Sequence, residues 1–319
     1  MLRYCIKRLL IAIPTFLGIT VMVYVLASMA PGSPVEMLFA SGGSGLTTEA
    51  LEKMEAQLGL DQPVIVQYFN WLLGILQGNL GTSYRTMQPV SQMLLERIGP
   101  TLLLTITALL MALLIALPLG IIAACRPYSG WDYLSSGLSF IGAATPNFFA
   151  GMILIYIFCI TLKILPTGGM YDSGGPHTIA ALLKHLLLPA ATLMVQYLGA
   201  FTRQTRSGML EVLNEDFVRT ARAKGLREQT VIFIHAFRNA LIPLITQVGL
   251  SLPMLIGGAV VTEQIFGWPG MGSLMVTSIN FRDYPTIMGI TVLIALFVLI
   301  GNIVIDLIYG LLDPRIGRR

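Results

Sequence analysis

The sequence predicts an all-α polytopic membrane protein with six transmembrane helices, and three observations support this fold class. The chain of 319 residues is 55% hydrophobic and only 11% charged, with a mean hydropathy of +0.76, which is typical of a polytopic membrane protein rather than a soluble globule. Apolar runs of about 20 residues, the length that crosses a bilayer, recur along the chain. The basic residues lie mostly beside alternate ends of these runs, which matches the positive-inside rule.

The six predicted spans cover residues 9–30, 100–125, 134–162, 185–202, 240–261 and 287–311. For the first run a cleaved signal peptide is the alternative, because a basic start precedes it and Ser28-Met29-Ala30 resembles a cleavage site. The run is longer than the apolar part of a signal peptide, which favours an uncleaved span. Within the other spans, helix breaks around a central pathway are predicted at Pro118, Pro146, Pro189 and Pro253.

Residues 31–98 contain no spanning segment and are predicted to form a helical region outside the cytoplasm. After Pro63 a narrow polar stripe at helical spacing runs through an otherwise apolar segment, and it consists of Gln67, Asn70, Gly74 and Gln77. Such a pattern predicts a helix that lies in a membrane interface or packs on the spans.

The charge distribution predicts the orientation of the chain. Placing the N-terminus inside puts most of the 20 basic residues on the cytosolic side. Both termini are then cytosolic, and the polar stretch 203–239, between the fourth and fifth spans, is a cytosolic loop. The net charge of +4 comes from residues clustered beside spans, so nucleic-acid binding explains it poorly.

This loop is predicted to contain a short helix. Asp216 is a suitable N-cap, good helix formers run from Ala221 to Lys224, and Gly225 supplies the positive φ that ends a helix. A helix of about 12–15 Å is too short to fold alone and needs a partner. The small Ala221 and Ala223 would let another backbone come close. The alternative is that the loop is basic only because of insertion topology.

Two segments of this loop carry a family resemblance, RTARAKGL at 219–226 and HAFRNALIP at 235–243. They resemble the EAA loop of ABC importer permeases of the oligopeptide/dipeptide (peptide/nickel) branch, although Arg219 and Thr220 stand where the general motif has Glu and Ala. In that family the loop holds a coupling helix, which docks into a groove on the ATP-hydrolysing subunit. The resemblance implies a type I ABC importer permease fold. It also implies ATPase coupling by Asp216, Arg219, Thr220, Ala221, Arg222, Ala223, Lys224, Gly225, Leu226 and His235.

The segment EQIFGWPGMG at 263–272 resembles an outer segment of the same family, as do PTGGM at 166–170 and GNLGTS at 78–83. The resemblance implies an outer gate or binding-protein contact formed by Glu263, Phe266, Trp268, Pro269 and Gly270. Interfacial anchoring is the alternative for the two aromatic rings. A structural hydrogen-bonding role is favoured for Glu263, and also for Asp306 near the cytosolic end of the last span.

No catalytic or metal-binding motif occurs in the sequence. No lysine follows a glycine, which excludes a phosphate-binding P-loop, and neither HExxH nor GxSxG is present. Cys5, Cys125 and Cys159 are too scattered to predict a metal site or a disulfide framework. The chain is therefore interpreted as a non-enzymatic protein without a cofactor of its own. The resemblance implies that ATP and Mg bind to partner ATPase subunits.

The resemblance as a whole implies the permease subunit of an ATP-driven importer of oligopeptides or dipeptides in the bacterial plasma membrane. Nickel and glutathione relatives have similar permeases, so these cargos stay open. The implied partners are a second homologous permease in a heterodimer, two ATPase subunits, an extracytoplasmic substrate-binding protein and membrane lipid, but no nucleic acid. The alternative is an ion-gradient-driven secondary transporter, which predicts buried acids or inverted repeats in the spans; Asp306 alone supports it weakly.

Overall fold

A computed structural model of the protein describes residues 2–29, 53, 56, 61–172, 174–257 and 259–312, with side chains described for all of these except 2–9, 252–258 and 306–312. The regular elements of these residues are helices. In chain order they are α1 (Leu2–Ser28), α2 (Val64–Leu76), α3 (Val90–Cys125), α4 (Gly130–Ala144), α5 (Asn147–Ile155), α6 (Ile179–Leu213), α7 (Asp216–Ala223), α8 (Phe237–Gly257), α9 (Val260–Ile265), α10 (Met271–Asn280) and α11 (Tyr284–Leu312). Helix α5 continues into a π-helical turn at Tyr156–Thr161, and another π-helical turn at Val231–Ala236 precedes α8.

Five helical segments of the described residues are long and apolar enough to cross a membrane. They are Leu10–Ser28, Val90–Cys125, Ile179–Leu213, Glu228–Ser251 and Tyr284–Ile305. A sixth span results if α4 and the helix that follows it count as one, although their axes differ by 104°. The predicted third span over 134–162 is therefore divided into two helices by a sharp bend.

The bend lies at Thr145 and Pro146 and has a local chemical cause. Thr145 is extended, with φ −86° and ψ 120°, as the ring of a following proline requires. Pro146 lacks an N–H group and cannot continue the hydrogen-bond ladder of α4. It serves instead as the N-cap of α5. Pro118, Pro189 and Pro253, which were also predicted to break helices, lie inside continuous helices.

Two helices are longer than the predicted spans. Helix α3 begins at Val90, ten residues before the predicted span at 100. Helix α6 runs from Ile179 to Leu213, whereas the predicted span covered 185–202, so Arg203 and Arg206 are helical rather than part of a loop. Hydropathy marks only the apolar part of a helix, and a helix does not end where its sequence becomes polar.

Helix α6 lies at the centre of the bundle and packs against α3, α4, α5 and α8. Its contact with α4 is close because glycines face the partner backbone. A β-carbon at Gly142 would lie 2.7 Å from the carbonyl oxygen of Val195, and one at Gly199 would lie 2.6 Å from that of Ser139. Only glycine permits this approach, which is a common way to pack membrane helices.

Helix α2 packs on α1 through aromatic side chains. The Tyr24 ring lies 5.5 Å from Tyr68 and 5.4 Å from Trp71, between centroids. The Tyr24 hydroxyl donates a hydrogen bond of 3.0 Å to Gln67 Oε1. Gln67, the first residue of the polar stripe of α2, thus helps to join α2 to α1. Part of the predicted helical region, at residues 31–52, 54–55 and 57–60, lies outside the described residues.

The bundle has two ends. The end that carries α7, called the α7 end below, contains Cys125, Leu213 and Val231. The opposite end, called the loop end, contains Pro100, Gly168, Trp268 and Asp283. The last helix, α11, packs against both α1 and α8, which brings the first and last spans together.

Candidate functional site

Helix α7 is an eight-residue helix that lies on the end of the bundle. Its buried side chains are Val218 and Ala221, which are three residues apart and so share one face. They pack in a cluster with residues of α3, α6, the segment before α8 and α8 itself, namely Ile121, Ala124, Met209, Val231, Ala236 and Ala240. Because Ala221 is buried in the chain itself, it is not available to let another backbone approach, contrary to the expectation from its small size. Ala223 is exposed.

The two ends of α7 are built differently. Glu215 rather than Asp216 is the N-cap, and its side chain makes no capping hydrogen bond. Asp216 lies in the first turn, where its charge is favourable to the helix dipole, and it pairs with Arg219 at 3.6 Å. The end of the helix is as predicted, since Gly225 has φ +73°.

Gly225 closes the helix by a Schellman motif. Its N–H donates to the Arg222 carbonyl at 2.9 Å, and the Leu226 N–H donates to the Ala221 carbonyl at 3.4 Å. The chain then leaves the helix in a fixed direction towards the next helical segment.

The face of α7 turned away from the bundle is mostly polar and cationic. Its exposed residues are Asp216, Phe217, Arg219, Thr220, Arg222, Ala223 and Lys224, followed by Gly225 and Leu226. Arg222 pairs with Glu228 at 2.7 Å, and this hydrogen bond raises the pKa of Arg222 above its ordinary value. Phe217 and Leu226 add apolar surface, with about 40% of each exposed. The face therefore offers cations and two apolar side chains together.

His235 lies in the π-helical turn that joins this region to α8, and its side chain is half-buried. Its carbonyl accepts a hydrogen bond of 2.9 Å from Asn239 Nδ2. Of the predicted coupling residues, the structure places Asp216 to Leu226 in one compact unit and His235 in the segment that follows it.

At the loop end the predicted outer residues are mostly buried. Glu263 is fully buried, and its carboxylate accepts hydrogen bonds from the Thr101 hydroxyl at 2.7 Å and the Ser273 N–H at 2.9 Å. Thr101 in turn accepts from the Met271 N–H at 2.7 Å. Burial raises the pKa of Glu263, which these hydrogen bonds partly oppose. The side chains of Glu263 and Thr101 together cap the N-terminus of α10, because its N-cap residue Gly270 has no side chain that could accept these N–H groups.

The aromatic residues of the same segment pack inside the chain. The Trp268 indole donates to the Pro100 carbonyl at 2.9 Å, and the Phe266 carbonyl accepts from the Gly169 N–H at 2.7 Å. Both rings are at most 1% exposed, Pro269 is half-buried, and a β-carbon at Gly270 would overlap the Glu263 carboxylate. The structure thus joins two segments that the sequence analysis considered separately, PTGGM and EQIFGWPGMG, through backbone contact.

Asp283 is a second buried acid at the loop end, which the sequence analysis did not single out. As the residue before α11 it accepts hydrogen bonds from the Ser83 hydroxyl, from the Tyr84 N–H at 2.9 Å and from the Thr286 hydroxyl at 2.7 Å. Burial and the nearby Asp283 raise the pKa of Tyr84 to about 12. The loop GNLGTS is thereby tied to the start of the last helix. The signal in the sequence was Asp283 two residues before Pro285, because Asp is a common N-cap and Pro is tolerated in the first turn of a helix.

Asp132 and Arg206 form an ion pair near the α7 end that the sequence analysis also missed. Arg206 donates from Nε and Nη2 to the two carboxylate oxygens of Asp132, at 2.6 and 2.9 Å. The Tyr128 N–H donates to the same carboxylate at 3.0 Å. The pair joins the start of α4 to α6, and no local pattern connects residues 74 positions apart in the sequence.

No group of three or more His, Cys, Asp or Glu side chains in the described part of the chain is arranged to hold a metal ion.

Two protein-family models together match most of the chain. Residues 116–318 match the family described as the binding-protein-dependent transport system inner membrane component. Residues 1–105 match the corresponding N-terminal family, described as the N-terminal part of the membrane component of such transport systems.

Similar proteins are permeases from bacteria. The chain is 44% identical to the oligopeptide transport system permease protein AppB of Bacillus subtilis (strain 168), over 99% of both chains. It is 36% identical to the dipeptide transport system permease protein DppB of Escherichia coli (strain K12), over 100% of both chains. It is also 39% identical to the glutathione transport system permease protein GsiC of Salmonella typhimurium (strain LT2), over 99% of both chains.

Proposed function

Since the chain belongs to the family of inner membrane components of binding-protein-dependent transport systems, we propose that it couples ATP hydrolysis on separate subunits to the import of peptides. In this proposal α7 is the coupling helix. The partners are a second homologous permease in a heterodimer, two ATPase subunits that bind ATP and Mg, and an extracytoplasmic binding protein. The α7 end and both termini are cytosolic, and the loop end faces outward.

The observation that carries this proposal is the two-sided arrangement of α7. One face is anchored in the apolar cluster formed by α3, α6, the segment before α8 and the start of α8, so α7 moves together with the spans. The other face exposes cations and the two apolar side chains of Phe217 and Leu226. A helix of this length cannot be stable alone, but seated in this way it can transmit a displacement of a docked ATPase as a lever.

The mechanism follows from alternating access. Closure of two ATP-loaded ATPase subunits draws the coupling helices of both permeases together, and the spans attached to them switch from inward-facing to outward-facing. Cargo passes from the binding protein into the opened pathway, and hydrolysis returns the pair to the inward-facing state. ATP acts only on the partner subunits, and this chain transmits the movement without chemistry of its own.

Peptides are the cargo class that the similar proteins favour. Oligopeptide, dipeptide and glutathione transport appear in the names of relatives at 36–44% identity, and all three of these cargos contain peptide bonds. The proposal therefore specifies a short peptide as the cargo. It differs from the alternative, a secondary transporter driven by an ion gradient, because that transporter would need no ATPase partner.

Substitution at Gly225 tests the coupling role. Gly225→Val places a β-branched residue at φ +73°, where no atom lies within 4 Å of the new β-carbon, so the strain is confined to the backbone. We expect peptide uptake per ATP hydrolysed to fall about tenfold in proteoliposomes that contain all subunits, because about 1–2 kcal/mol of strain disrupts the helix end. Gly225→Asn should retain uptake, since asparagine tolerates this conformation.

Gly78→Val is the matched control. Gly78 also has positive φ, +80°, and open space around its β-position, but it lies in the outer segment after α2. It should carry the same backbone strain without loss of coupling. If Gly225→Val and Gly78→Val import peptide with the same yield per ATP as the unchanged protein, α7 is not the coupling element.

A further inference from the structure

The bend between α4 and α5 forms a cleft of about 290 Å³. Its walls include Thr145, Asn147, Phe148, Gln196 and Val261, and none of its lining residues is charged. Inside it, Asn147 Nδ2 donates a hydrogen bond of 2.8 Å to Gln196 Oε1. Two carboxamides from different helices thus meet at the point where the third predicted span is broken.

The cleft lies halfway along the spans. Gln196 is 17 residues from either end of α6, Ile179 and Leu213, which corresponds to about 25 Å of helix on each side. Asn147 begins α5, immediately after the bend that divides the bent pair into two halves of similar length. A polar pair at this depth is far from both membrane surfaces.

Both carboxamides are accessible in the isolated chain. The Gln196 residue is exposed and Asn147 is half-buried. Amide groups that face hydrocarbon are costly, and interrupted helices at membrane depth occur where the backbone is buried in protein or lines a water-filled path. The cleft must therefore face a polar pathway or another protein rather than lipid.

The hydrogen-bonding groups left over at the pair match a peptide bond. Asn147 uses one N–H on Gln196, and within the described part of the chain no hydrogen bond occupies Asn147 Oδ1 or Gln196 Nε2. One side chain therefore offers an acceptor and the other offers donors, next to each other. A peptide group presents the complementary pair, an N–H donor and a C=O acceptor.

We propose that this cleft is a contact site for the backbone of a peptide in transit, with Asn147 accepting from a cargo N–H and Gln196 donating to a cargo carbonyl. Because the site is uncharged, it recognises the repeating main chain and is indifferent to the charge of cargo side chains. Phe148 and Val261, each about half exposed, form apolar walls that pack against any side chain. This inference rests on the proposed function, since it requires a peptide to pass through the chain.

The first test removes the carboxamides while keeping their shape. We expect Asn147→Leu combined with Gln196→Met to lower ATP-dependent uptake of radiolabelled tetra-alanine about tenfold in proteoliposomes with all subunits, the combined effect of losing two hydrogen bonds to the cargo. The chain offers a matched control in α2 and the segment before it, where Asn70 Nδ2 donates to Gln62 Oε1 at 3.2 Å. Asn70→Leu combined with Gln62→Met removes the same groups outside the cleft and should import at the unchanged rate.

The second test detects the contact directly. Phe148→p-benzoylphenylalanine places a photoreactive side chain in the cleft, and Phe140→p-benzoylphenylalanine places it in the same bent pair but outside the lining residues. Irradiation during turnover should crosslink labelled tetra-alanine to position 148 and not to position 140. A purely structural role of Asn147 and Gln196 would not produce this crosslink.

The outcomes separate this inference from the proposed function. If the unchanged complex imports tetra-alanine but the Asn147/Gln196 double variant imports it equally well, the cleft is not a cargo contact and only this inference fails. Crosslinking of position 148 to another subunit in place of peptide would overturn it too, because the cleft would then be a subunit interface. Absence of ATP-dependent uptake of both dialanine and tetra-alanine by the unchanged complex would instead refute the proposed function.

Discussion

Glu263 shows how one buried side chain can organise a segment that looks from the sequence like a surface loop. Its carboxylate and the Thr101 hydroxyl satisfy the first N–H groups of α10, which would otherwise be unpaired inside the protein. This is the structural hydrogen-bonding role favoured from the sequence. Direct contact of Glu263, Phe266 or Trp268 with a binding protein stays a prediction, and it would require these buried side chains to become exposed in another state.

Glu263→Gln should destabilise the protein, because an amide nitrogen replaces one of two oxygens that accept hydrogen bonds. We expect a loss of about 1–2 kcal/mol, measured as a lower melting temperature of the purified chain in detergent near neutral pH. Glu96→Gln is the control, since Glu96 is exposed and its hydrogen-bond donor among the described residues is Gln92 of the same helix. Equal melting temperatures for both variants would contradict the capping role.

The difference in melting temperature between the unchanged protein and the Glu263→Gln variant should depend on pH. Burial raises the pKa of folded Glu263 above its ordinary value of 4.5, so the ionised form carries a penalty above the raised pKa, and this penalty is relieved as the pH falls through it. The melting temperature of the unchanged protein, relative to Glu263→Gln, should therefore rise as the pH is lowered through the raised pKa towards the ordinary pKa of a glutamate. A difference that stays constant as the pH falls would contradict the raised pKa of Glu263.

At the scale of elements, α7 has one face packed against its own protein and one exposed face, which we propose docks a partner, and the two faces can be tested separately. Val218→Ala should lower the melting temperature by removing buried methyl groups, at a cost of about 1–2 kcal/mol, while leaving the outward surface unchanged. Phe217→Ala should leave the melting temperature unchanged, since Phe217 is 42% exposed. It should instead weaken copurification of the ATPase subunits. The reverse pattern would mean that the two faces have been assigned wrongly.

The junction of α4 and α6 depends on the Asp132–Arg206 pair, whose Asp132 side chain is only 9% exposed. Arg206→Lys cannot reproduce two parallel hydrogen bonds. We expect a loss of about 1–2 kcal/mol, because Arg206 is partly exposed and water screens the pair. Arg203→Lys, an exposed change on the same helix, should have no effect on thermal unfolding. Indistinguishable melting curves for the two variants would argue against the pair.

The sequence was informative about elements wherever a local rule applied. Gly225 ends α7 as predicted, because a positive φ at this position depends on the residue itself. Pro146 breaks a helix as predicted, but Pro118 and Pro189 do not. A proline weakens a helix locally, and packing around it decides whether the helix continues. The burial of Ala221 and the partners of Glu263 could not be predicted, because they depend on residues far away in the sequence.

At the scale of the whole molecule, α6 connects the two ends. Its residue Met209 belongs to the cluster under α7, and Gln196 lines the cleft halfway along the helix. At the loop end, His185 Nδ1 lies 3.0 Å from the Gly168 carbonyl oxygen. A continuous helix of 35 residues is stiff along its length, so a movement imposed on α7 can reach the cleft and the loop end. The all-α membrane fold was predicted from composition and hydropathy, and the break of the third span at Pro146 from the proline itself, whereas the angle of 104° between its two halves was not.

The most direct test of the central claim is the subunit composition of the complex that a tag on this chain recovers from its native membrane in mild detergent. We predict a second permease with six apolar spans and two subunits that carry a P-loop. Loss of these ATPase subunits from the Phe217→Ala complex would place their contact on α7. Recovery of this chain alone, stable and able to transport in liposomes without ATP, would contradict the account and favour a transporter driven by an ion gradient.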